Sequence, residues 1–86
     1  MTSSHRQYEG IWKRIATRSD TTPVKLTCHP NNVQRIIIAV RKEKAIANNI
    51  RKNLAMPRYG KLNSSVELAN GKATISFVLQ FNGDML

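Results

Sequence analysis

Asn70-Gly71 stands between two runs of alternating apolar and polar residues, and this restricts the C-terminal part of the chain to a β-hairpin. The runs are Leu62 to Ala69 and Lys72 to Phe81. A two-residue turn pairs Leu68 with Ala73, Val66 with Ile75, Ser64 with Phe77 and Leu62 with Leu79, all on one face. The opposite face receives Glu67 with Thr74, Ser65 with Ser76 and Lys61 with Gln80, leaving Val78 as its one large apolar member. Side chains alternate along a strand, so a slip of one residue would turn every apolar group to water. The sequence therefore predicts the register along with the hairpin.

A hairpin of two strands cannot stand alone in water, so the remaining residues must cover its apolar face. Tyr8, Ile11, Trp12 and Ile15 recur at helical spacing, predicting a helix from a cap at Ser3 or Ser4 to about Arg18. Arg6, Lys13 and Arg14 fall off that stripe. Ser19-Asp20-Thr21-Thr22-Pro23 reads as a loop. Val24-Lys25-Leu26-Thr27-Cys28 then alternates as a short strand with Val24, Leu26 and Cys28 inward. His29-Pro30-Asn31-Asn32 stops it, with Asn31 or Asn32 as the cap of the next helix.

That helix is expected from Val33 to about Met56, ended by Pro57 and Gly60. Its apolar stripe shifts along its length. Val33, Ile36, Ile37 and Val40 share one direction, whereas Ile46, Ala47, Ile50 and Leu54 lie about a quarter-turn away. Unbroken, the helix would be about 35 Å long. A chain of 86 residues should form one domain about 30 Å across, with a radius of gyration near ~12 Å. The helix must therefore bend near Glu43-Lys44, break or overhang, and one long helix is the preferred reading.

The order α-β-α-β-β defines an α+β fold: residues 1–86 form a three-stranded sheet with two helices packed on one face. A right-handed crossover from the first strand brings it in as a parallel neighbour of the hairpin. A break near Lys44 would instead give the order α-β-α-α-β-β of a winged helix, the alternative fold.

Charge carries the functional reading. Fourteen Lys and Arg against five Asp and Glu give a formal charge of +9, a self-repulsion that a polyanion relieves. Eight of the cations fall between Arg35 and Lys61: Arg35, Arg41, Lys42, Lys44, Arg51, Lys52, Arg58 and Lys61. Glu43 is the one acid among them. In helical projection Arg35, Arg41, Lys42 and Lys52 occupy the face away from the apolar stripe. Solvated helix faces usually mix signs to gain pairing between turns, and this one does not. The expected function is non-enzymatic binding of DNA or RNA through phosphate, with Lys13 and Arg14 in support. Tyr59, between Arg58 and Lys61 in the following loop, is a candidate for stacking on a base. Gln34, Asn48, Asn49 and Asn53 are the side chains placed to read bases.

The alternative is a small regulator or inhibitor that docks on an acidic surface of a larger protein complex. Self-association into a homodimer through an exposed edge strand is a further expectation. Catalysis has little support, since the five acids are scattered one per element and no pair has metal-dependent nuclease spacing. A toxin-like, metal-free RNA cleavage through His29, Arg58 and Tyr59 is the residual enzymatic reading. Cys28 and His29 point to opposite faces of a strand, so neither a metal site nor a cofactor is expected. The longest aliphatic run, Ile36 to Val40, is far too short for a membrane span. Met1 to Arg6 lacks the apolar core of a secretory signal, so a cytoplasmic setting is expected.

Overall fold

The structure, a computed structural model, describes residues 3–17 and 22–80, with side chains from Gly10 onward in the first helix. Helix α1 spans Ser3–Ala16, strand β1 Val24–Cys28, helix α2 Val33–Asn53, strand β2 Leu62–Ala69 and strand β3 Lys72–Leu79. The architecture is α+β, with a three-stranded antiparallel sheet in the order β1-β3-β2.

The hairpin follows the sequence residue by residue. Leu62 pairs with Leu79, Ser64 with Phe77, Val66 with Ile75 and Leu68 with Ala73. Asn70 and Gly71 both have positive φ, 54° and 73°, as a two-residue type I′ turn requires. The ladder continues one step past the strands, where the Gln80 N–H donates to the Lys61 carbonyl at 2.8 Å. Phe81, included in the expected second arm, lies outside the described residues.

β1 enters differently from expectation. It pairs antiparallel with β3, Val24 opposite Phe77 and Cys28 opposite Ala73, and is not a parallel neighbour of the hairpin. Its direction is parallel to β2, as a crossover through α2 demands, but β3 lies between them. The reason is apolar content. Ala73, Ile75, Phe77 and Leu79 make β3 the strand best suited to the centre, and all four are buried.

Both helices lie over that apolar face. Ile11, Trp12 and Ile15 of α1, Val33, Ile36, Ile37 and Val40 of α2, and the inner residues of the sheet form one buried cluster. The side chains of Arg6 and Tyr8 and the expected end at Arg18 lie outside the described residues. At the visible end of α1, the Thr17 hydroxyl donates to the Lys13 carbonyl at 2.9 Å and closes the last turn.

Two details of α2 correct the sequence reading. Asn32 sits at the cap position but makes no side-chain cap bond. Instead a single turn of 3-10 helix, Pro30–Asn32, precedes the helix, and the Asn31 N–H donates to His29 Nδ1 at 3.1 Å. At the other end α2 stops at Asn53, three residues before Met56 and before Pro57 and Gly60 can act. Ala55 takes the left-handed conformation with φ 57°, while the Met56 N–H reaches the Arg51 carbonyl and the Ala55 N–H the Lys52 carbonyl. This is a Schellman closure with alanine where glycine is usual, so no glycine marked it in the sequence.

α2 is unbroken over 21 residues, about 31 Å, so the break needed for a winged helix is absent. The overhang is real. Ile46, Ile50 and Leu54 are exposed, and the radius of gyration is 13.7 Å, above the ~12 Å of a fully compact chain of this length.

Candidate nucleic-acid interface

The surface of α2 divides by angle. Val33, Ile36, Ile37 and Val40 point into the core, and the exposed side carries Gln34, Arg35, Arg41, Lys42, Asn49 and Lys52. The four cations cannot turn inward without meeting apolar side chains, so the helix itself holds them out as a set.

Lys44 and Arg51 sit where the core stripe would continue, and both are half-buried. Lys44 lines a surface groove of 440 Å³ together with Arg41, Ala45, Asn48, Lys61 and Leu62. Three cations from two elements thus meet in one concavity between α2 and the start of β2. The groove exists because the chain leaves α2 at Ala55, runs back along it and enters β2 at Leu62 beside the helix it has just left.

Arg51 has another task. Its Nη1 donates to the Pro57 carbonyl at 2.7 Å and its Nη2 to the Tyr59 hydroxyl oxygen at 2.9 Å. Its guanidinium lies 4.2 Å from the centre of the Tyr59 ring. Trp12 meets the same ring edge-to-face, with centroids 5.1 Å apart and planes at 88°. Tyr59 is therefore packed between α1 and α2, its ring met by Trp12 and Arg51. Arg51 likewise takes part in the fold, since one N–H of each Nη is bonded to the loop.

Asn48 is similarly engaged. Its Nδ2 donates to the Tyr59 carbonyl at 3.2 Å, and its Oδ1 accepts from the Tyr59 N–H at 2.7 Å. An amide offers one donor group and one acceptor group, and here both close on one backbone residue, so Asn48 is not free to read a base. The clasp formed by Asn48, Arg51 and Tyr59 ties the loop to α2, and Asn48 also lines the groove. No spacing rule marks such a bond across 11 residues of chain; the signal was an asparagine on the core side of the helix.

Lys61 and Arg58 are exposed on the loop, and Lys13 and Arg14 are exposed on α1. Lys72 projects at the far end of the molecule, lining a smaller pocket with Thr27, Cys28, His29 and Gly71. His29 Nδ1 serves the turn after β1, well apart in the chain from Arg58 and Tyr59. Among the described residues no three His, Cys, Asp or Glu side chains gather in one place, and no helix is long and apolar enough to cross a membrane.

No protein-family model, no curated protein and no solved structure matches this chain.

Proposed function

We propose that this protein binds nucleic acid, without catalysis, by holding the phosphate backbone against α2 and the groove beside it. The observation that carries the reading is a set of exposed cations on one side of α2, interspersed with Ile38, Ala45 and Asn49. Arg35, Lys42, Lys52 and Arg41 follow the exposed side of α2, and Arg41 leads into the groove with Lys44 and Lys61. Phosphates recur along a strand at near-regular spacing, and cations spaced along one helix and its neighbouring loop suit that geometry. Sequence preference should be weak. Of the amide side chains near the cations, Asn48 is bonded to the backbone, leaving Gln34, Asn49 and Asn53 on the exposed side. A cytoplasmic setting goes with this reading.

Salt titration tests it. Six cations, namely Arg35, Arg41, Lys42, Lys44, Lys52 and Lys61, should give a slope of log affinity against log salt of about −5 on duplex DNA. The double variant Arg41→Ala, Lys61→Ala should flatten the slope by about 2 and weaken binding to unrelated sequences alike. A salt-independent affinity would refute the proposal. A protein partner retained after nuclease treatment would then favour a regulator that docks the same cations on carboxylates.

A further inference from the structure

The two open edges of the sheet are built differently. β1 is five residues long, presents Lys25 and is bracketed by Pro23 and Pro30. Short length, lysine and flanking proline are the usual defences of a strand edge against pairing. β2 is eight residues long and has none of them. From Leu62 to Gly71 the chain carries one acid, Glu67, and no Lys or Arg, in a protein of net charge +9.

The β2 edge is also apolar where it is unpaired. The type I′ turn makes Ala69 and Lys72 a hydrogen-bonded pair, and the Gln80 to Lys61 bond confirms the same phase at the other end. The N–H and C=O groups of Leu62, Ser64, Val66 and Leu68 therefore point away from β3, toward the free edge. The same residues project toward the helical layer. Val66 is 44% exposed and Leu68 69%.

α2 supplies a third apolar group. Ala45 lies beside Leu62 in the groove, and Pro30, just before α2, lies beside Leu68 at the other end. The helix thus runs antiparallel to β2. Ile38, two turns before Ala45 on the same flank, is 56% exposed.

We infer that β2 pairs with β2 of a second copy of this chain about a two-fold axis, forming a six-stranded sheet with the four helices on one face. Residues pointing to the edge must meet residues pointing to the edge, which leaves two registers that overlap most of the strand. Centring the axis on Ser65 places Leu62 opposite the partner's Leu68 and Ser64 opposite the partner's Val66. Asn63 then faces the partner's Glu67, and the partner's Lys61 follows diagonally, within reach of long side chains. In this register the one acid of the strand meets an amide and a cation. The other register, centred on Val66, sets Leu68 against Ser64 and gives Glu67 only Ser65. An isologous contact closes on itself and leaves no edge to propagate.

The strip is about 26 Å long and about 20 Å deep through sheet and helix, so both copies together bury roughly 1,000 Å². That is the low end for a stable interface, and the dimer should dissociate on dilution. The inference does not depend on nucleic-acid binding.

The test uses nuclease-treated, salt-washed full-length chain in light scattering and sedimentation at about 100 µM. The expected result is twice the chain mass, falling to the monomer mass in Leu68→Lys and Val66→Lys, with circular dichroism unchanged and with melting that matches the wild type in solutions too dilute to associate. Ser65→Cys in a Cys28→Ser background reads the register. The axis sets the two Cα atoms about 4.5 Å apart, within disulfide range, so mild oxidation should give a covalent dimer. A wild-type monomer at that concentration, a dimer surviving Leu68→Lys, or no cross-link at Ser65→Cys would each overturn the proposal.

Discussion

The two arms of the hairpin have nearly the same sequence pattern and opposite fates. Every inward residue of β3, from Ala73 to Leu79, is 5% exposed or less. On β2 only Leu62 is buried, and exposure rises toward the turn until Leu68 is mostly in water. Alternation decides which face a side chain joins; whether anything covers that face depends on where the helices come to rest. Here β3 has a strand on either side and the helices above, whereas β2 is covered at its first residue, beside the loop clasped to α2.

The largest effect should come from the covered arm. Phe77→Ala removes a fully buried ring from the centre of the sheet and should cost ~3–5 kcal/mol, a large part of what so small a domain possesses. A fall in urea midpoint with an unchanged slope would measure it; a loss under about 1 kcal/mol would show that β3 is not the centre of the core. The intermediate effect concerns the point where β2 is covered. Asn48→Ala leaves the Tyr59 N–H and carbonyl without their partner and should cost ~1–3 kcal/mol. Hydrogen exchange should accelerate most at Tyr59 and around Leu62, and uniform acceleration over all strands would instead make the clasp a global element. The smallest effect belongs to the bare arm. Val66→Thr, in solutions too dilute to associate, should shift stability by no more than about 0.5 kcal/mol. A loss comparable to that at Phe77 would erase the distinction between the arms.

The same lesson applies to the candidate site. Arg35, Arg41, Lys42 and Lys52 were legible because helical periodicity plus a known apolar side fixes the opposite side. Lys44, Arg51, Asn48 and Tyr59 were not. Each lies where the helix overhangs its sheet, and their surroundings come from a loop that returns along the helix. Periodicity describes one element at a time and contains no term for a neighbour brought back by a later turn. Periodicity places Arg51 where the core stripe would continue but says nothing of its acceptors, Pro57 and Tyr59.

The amino-acid sequence alone determined the elements and their order, the hairpin register and the excess of positive charge on α2. These follow from local backbone preferences and from side-chain alternation, which act over a few residues. Tertiary structure alone decided that β3 is central, that Tyr59 is packed and that Leu68 is bare. Each of these depends on which surfaces meet across long stretches of chain, and there burial of apolar area and satisfaction of buried polar groups override local preference.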